Sequence, residues 1–313
     1  MSLPPTDPEI DLSSLGLSEP AHESQRMSVR SFGRTDRGLV RESNEDQFLI
    51  ARLTKALDIQ QSSLPQAQAK YADDQGHIFV VADGVSGSPA GEQASALAVK
   101  SIEDFLVNTL KWFFQLKGPE KENVLAEFQD ALRQADASIF REVAQHPELN
   151  GMGTTLTLAY TLGANLFVAN AGDSRCYLFH DGELVQLTCD HTLAQDMVRK
   201  GLVPSTHIDR LGRRIGHIVT NAIGGSTPGV WVEVHKATMS PSDVLFLATD
   251  GLTSYVPDER IAATLKAEPD PKIACERLVA QAIEQGGRDN VTVIVARYEP
   301  FTDKGAASCS SSE

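Results

Sequence analysis

Cysteine is scarce and unpatterned in this chain: four in 313 residues, at 176, 189, 275 and 309, with no C-x-x-C pair. That argues against a zinc site or a disulfide framework and leaves small buried or incidental thiols as the expectation. Long apolar runs are missing too. Stretches such as Ile78 to Ala82 and Val244 to Ala248 fall far short of the roughly 20 residues a bilayer span needs. The opening "MSLPPTDPEIDLSS" lacks the basic-then-apolar pattern of a leader, so the expectation is a soluble, cytoplasmic protein with no membrane partner. Basic residues are outnumbered, 28 Lys and Arg against 42 Asp and Glu, and the net charge of −14 disfavours nucleic acid and anionic surfaces as partners.

What is present is a chain long enough for a large core. Residues 1–25 are rich in Pro, Ser and acids without periodicity, and 301–313 are a polar tail, so both read as flexible ends around a domain spanning 26–300. Within it, "MSVRSFG", "DQFLIARL" and "HIFVVAD" read as strands, with "QSSLPQAQAKYADD" as a surface loop between the second and third. Two helices follow. Ala94, Leu97, Ala98, Ile102, Phe105 and Leu106 repeat at helical spacing, as do Val124, Leu125, Phe128, Leu132, Ala135 and Ile139.

From Gly153 to Thr188 at least four strands are separated by tight turns at Gly163, Gly172-Asp173 and Asp181-Gly182, which read as hairpins. "WVEVHKAT", "DVLFLATD" and "NVTVIVARY" are further strands, and "PDPKIACERLVAQAIEQG" is a helix ending on Gly286. Strands grouped apart from helices argue an α+β layered sandwich of antiparallel sheets.

Acids carry the chemistry. Asp83 ends an apolar run and precedes glycine, and Asp250 does the same in "VLFLATDG". Glu45 and Asp46 head one strand, and Asp289 heads the last. Any one such acid is ordinarily a turn former or a cap. Together they suit a hard divalent cation, Mg²⁺ or Mn²⁺, which takes oxygen ligands and keeps several waters.

The ordered set "RESNED", "ADGVSG", "GMGTTLTLAY", "NAGDSRCYLF", "LTCDHT", "ATDGLTSY" and "GGRDNVTVIV" resembles the metal-dependent serine/threonine protein phosphatases, type 2C or PPM, in their bacterial form, from about Arg26 to Tyr298. The resemblance implies a four-layer α-β-β-α sandwich with two central antiparallel sheets. It implies two Mn²⁺ or Mg²⁺ ions and in-line attack on phosphoserine or phosphothreonine by a hydroxide bridging them. By the same match, Asp83 touches both ions and the Gly84 carbonyl completes the second. Asp250 and Asp289 serve the first ion, the pair Glu45 and Asp46 serves the second directly or through water, with either as its inner ligand, and Arg41 grips the substrate phosphate. Expected partners are phosphorylated proteins, among them Ser/Thr kinases and their substrates.

Some positions depart from the family pattern. Ser86 replaces a glycine in the turn after Asp83, and Val85 stands where some members carry a histidine proposed as general acid. Asn150 stands where many relatives have an aspartate, which predicts a weak or missing third metal. Asp173 reads as a turn residue and His191 as support at a strand end. Arg210, Arg213 and Arg214 are candidate substrate contacts in a flap, and Trp112, Phe113 and Phe114 a helix end facing the core. Two other functions compete: a dedicated phosphatase of a partner-switching pathway, and a non-catalytic binding module of the same fold. The Cys-x5-Arg loop of cysteine-dependent phosphatases is missing.

Overall fold

The computed structural model describes residues 27–57, 70–85, 90–108, 120–204 and 215–300. The two terminal extensions, Ser86, the flap arginines and Trp112 to Phe114 lie outside the described residues.

Strand β3 (Lys70–Asp83) shows how the layers arise. Its central residues are apolar on both faces, as a strand covered on both sides must be. Ile78, Val80 and Ala82 face one core, while Phe79 and Val81 face another. With β2 (Asp46–Leu57), β5 (Leu156–Leu162), β6 (Asn165–Ala171) and β10 (Glu233–Thr238), β3 forms a sheet ordered β10-β6-β5-β3-β2. The second sheet is ordered β1-β12-β11-β7-β8, from Met27–Asp36, Val291–Pro300, Val244–Ala248, Arg175–His180 and Glu183–Gln186 respectively. Every pairing within the two sheets is antiparallel.

The core between the sheets holds Phe79, Val81, Leu178, Leu247, Ile294 and Tyr298 among others. Helices α1 (Ala90–Asn108) and α2 (Glu120–Gln145) cover the outer face of the first sheet. The helices Asp258–Ala267 and Pro271–Glu284 cover the second. Burying each large apolar side chain contributes about 1.5–3 kcal/mol, so three such cores account for the closure of four layers. The α-β-β-α sandwich is as the sequence implied. On α1 and α2, Ile102, Phe105, Phe128, Leu132 and Ile139 are buried as their spacing predicts, with Leu97 and Leu125 partly so.

Two expectations need correction, and the helix Asp258–Ala267 is additional to those the spacing predicts. The segment 70–74, read as loop, is strand, because the β2-β3 hairpin runs on to pair Ala56 with Tyr71 and Leu57 with Lys70 after a bulge. The Gly172-Asp173 turn is not a hairpin: β6 belongs to one sheet and β7 to the other, so this turn carries the chain between layers.

Candidate metal and phosphate site

Strand register builds the site. In the β2-β3 ladder Asp46 stands directly opposite Asp83. Like charges facing each other across an antiparallel pair destabilise a sheet, so this juxtaposition needs compensation from outside the ladder. On the adjoining sheet, β11 ends at Ala248 just before Asp250, and β12 begins at Val291 just after Asp289. Thr249 links the two sheets, its hydroxyl donating to Asp46 Oδ2 at 2.8 Å and accepting from the Thr292 amide at 3.0 Å.

Each acid is held by its surroundings. Thr154 Oγ1 donates to the Asp83 carbonyl at 2.9 Å, and Thr155 both accepts from the Asp83 amide, at 3.1 Å, and donates its own amide to the Asp83 carbonyl, at 2.8 Å. The Val85 amide donates to the Gly153 carbonyl at 3.0 Å, so the "GMGTT" segment splints the turn after Asp83. Gly84 lies against the backbone of Gly91 at the start of α1, and a Cβ on Gly91 would overlap the Glu45 carboxylate. Ser95, one turn further along α1, donates to the Glu45 carbonyl at 2.6 Å. Glu45 and Asp46 are buried.

Burial raises all four of the innermost aspartates. Asp46 is pushed up to about 7 by burial and then by Asp250, against the pull of the neighbouring Thr292 and Thr249 hydroxyls, of which Thr249 bonds it. Asp250 is pushed up to about 6 by burial and by Asp289, offset in part by its hydrogen bond with Asp83. Asp83 is held well above the ordinary range by burial and by the charges of Asp46 and Asp250. Asp173 is held high by burial and by Asp250.

Asp173 is the residue that sequence reasoning placed elsewhere. The crossing of Gly172 to Ser174 between the sheets brings its buried carboxyl to the other acids. Gly172 there has φ +126°, and a Cβ would collide with Thr155. His191 supports the crossing, as expected of it, by accepting from the Gly172 amide at 3.0 Å. Asn150 is exposed after the turn Pro147–Leu149.

Arg41 is half-exposed and grips Asp289 with two bonds, Nε to Oδ1 and Nη2 to Oδ2, each 2.8 Å. The fork geometry that suits a carboxylate also suits a phosphate. Asp46 Oδ1 is buried and has no hydrogen-bond partner, a costly state for an anionic oxygen unless a cation meets it. Among the described residues no group of three or more His, Cys, Asp or Glu side chains is placed to hold a metal ion by itself. A hard ion that retains much of its water shell does not require a closed protein cage. The donor set, all oxygen and rich in carboxyl groups, fits Mg²⁺ or Mn²⁺.

Comparison with known proteins identifies the family. The model of the family Protein phosphatase 2C matches residues 60–269. The serine/threonine phosphatase stp of Listeria monocytogenes is 30% identical over 272 residues, covering 87% of this chain and 96% of that protein. PstP of Mycobacterium tuberculosis is 32% identical over 269 residues, which are 86% of this chain but only 45% of PstP. A crystal structure of the PstP catalytic domain in complex with two manganese ions superposes with a TM-score of 0.67 at 30% identity, covering 88% of this chain and all of that one. The chain belongs to the protein phosphatase 2C family, a class of metal-dependent serine/threonine phosphatases. No helix among the described residues is long and apolar enough to cross a membrane.

Proposed function

We propose that residues 26–300 form a phosphatase domain that hydrolyses phosphoserine and phosphothreonine in proteins with two Mn²⁺ or Mg²⁺ ions. The observation that carries this reading is the opposition of Asp46 and Asp83 at the edge of the sandwich, with Asp46 Oδ1 buried and unpaired. Asp83 would serve both ions, Asp250 and Asp289 one of them, and Glu45, Asp46 and the Gly84 carbonyl the other. When bound, such ions make water a nucleophile near neutral pH and neutralise charge on the phosphoryl group.

The chain's own residues supply placement. Thr249 fixes which oxygen of Asp46 stays available, and the Thr154-Thr155 pair fixes the turn that carries Asp83. Arg41 binds the phosphate and orients it. Arg41 is tied to the Asp289 carboxylate, and its guanidinium would be free to turn to substrate if that carboxylate were engaged by an ion. We place the substrates among phosphorylated cytoplasmic proteins, including Ser/Thr kinases and their targets.

Hydrolysis of p-nitrophenyl phosphate and phosphothreonine peptides tests the assignment, with Mn²⁺, Mg²⁺ or EDTA and an Asp250→Asn variant. Activity is expected with either metal only, and Asp250→Asn is expected to remove it. Turnover that survives EDTA or the substitution would refute the reading.

A further inference from the structure

Asn290 follows Asp289 at the head of β12, is 4% exposed, and belongs to none of the acid or phosphate contacts above. Its amide is nonetheless fully engaged. Oδ1 accepts from the Glu45 amide at 2.9 Å, and Nδ2 donates to the carbonyls of Arg37 and Ser43, both at 2.9 Å. These bonds reach both ends of the loop 37–45, which carries Arg41 between them. Further ties reach the same turn, where the Leu39 and Val40 amides donate to the Gly287 carbonyl at 2.7 and 3.3 Å, and its neighbours, where Asn44 Nδ2 donates to Thr35 Oγ1 at 2.8 Å and Ser95 to the Glu45 carbonyl. The Asn290 carbonyl in turn lies so close to Gly251 that no Cβ fits there, which fixes this strand head beside Asp250.

We propose that Asn290 is a positioning residue that holds the loop 37–45 so that Arg41 is placed for the substrate phosphate. The proposal rests on the assignment of Arg41 as the phosphate-binding residue. The side chain suits the task because a primary amide offers one acceptor and two donors in a single plane, matching one amide and two carbonyls. A carboxylate of the same size would present oxygen to both carbonyls, and an apolar side chain would leave the buried Glu45 amide and two part-buried carbonyls without this partner. Arg41 itself is about half exposed and cannot order the loop by packing. With the staple gone and the Asp289 carboxylate engaged elsewhere, the guanidinium would sample many positions, and binding a phosphate must first restrict it.

The test is inhibition of p-nitrophenyl phosphate hydrolysis by inorganic phosphate at saturating Mn²⁺, for the wild type, Arg41→Ala, Asn290→Ala and the double variant, with melting temperatures recorded in parallel. Asn290→Ala is expected to weaken phosphate inhibition about tenfold. The double variant is expected to be no weaker than Arg41→Ala, because a residue that acts through Arg41 has nothing left to position. A merely structural role gives losses that add. Additive losses, or unchanged phosphate inhibition in Asn290→Ala beside a clear loss in Arg41→Ala, overturn the staple alone. Unchanged inhibition in Arg41→Ala overturns the staple together with the Arg41 assignment. Asn290→Ser, too short to span the loop, carries the same comparison if the alanine variant does not fold.

Discussion

Thr249 shows how one hydroxyl decides the state of a carboxylate. Its bond to Asp46 Oδ2 keeps that oxygen occupied and leaves Oδ1 turned to the site. Thr249→Val removes the bond at nearly constant volume, and hydrogen bonds to charged groups are worth about 1.5–3 kcal/mol, so Mn²⁺ affinity should fall by about 10–100-fold. Titration calorimetry reads this directly, and unchanged affinity would remove Thr249 from the account. Gly91 is a second single-residue test. Its missing Cβ leaves the space that the Glu45 carboxylate and the Gly84 backbone occupy. Gly91→Ala should therefore displace the acid pair and lower kcat/KM in Mn²⁺ assays, while a distant surface change such as Arg133→Ala should not. At this scale the sequence was informative where an apolar run ended on an acid, as at Asp83 and Asp250. It was silent on Asp173 and Asn290, because an aspartate after glycine and an asparagine in a turn look the same whether they merely shape the chain or reach a buried centre.

Tight turns carry the corresponding ambiguity among the elements. The Gly163 and Asp181-Gly182 turns close hairpins, β5 with β6 and β7 with β8, as their spacing suggests. Gly172-Asp173 is equally short but switches sheets, and nothing local distinguishes the two outcomes. Support for the crossing comes from residues far along the chain. Glu233 at the start of β10 accepts from the Cys189 amide at 3.0 Å and from Asn170 Nδ2 at 3.1 Å, and lies against His191 and His235. Burial pushes its carboxyl up, but the hydrogen bonds and charges of the two histidines outweigh this and hold it at about 2, below its ordinary 4.5. A depressed folded-state value contributes stability above pH 4.5 that is lost as pH falls toward 2. Chemical denaturation across that range should show an acid loss that is shallower in Glu233→Gln. An equal slope in both proteins would assign the loss to other groups.

For the whole molecule, three apolar cores close a sandwich that carries its cluster of buried acids at one edge. The cores were legible because their residues repeat at strand and helix periods. The end of the β2-β3 hairpin was not, since the turn-rich residues before Gly76 read as loop. Burial and mutual repulsion raise Asp46 to about 7 and Asp250 to about 6 from an ordinary 3.8. Raised values mean that stability is fully present below 3.8 and lost as pH climbs through 6 to 7. In EDTA the melting temperature should fall between about pH 5 and about pH 8, and Mn²⁺ should reverse the fall by taking the place of the protons. A metal-free melting temperature that is flat over this range would contradict the electrostatic account.

The central claim is that acids from both sheets jointly hold the ions, with Asp83 common to the two. Calorimetric titration of Mn²⁺ into the metal-free wild type and into Asp83→Asn tests it most directly. The account predicts two ions per chain in the wild type and the loss of both in the variant. Two ions bound with undiminished affinity by Asp83→Asn would contradict it.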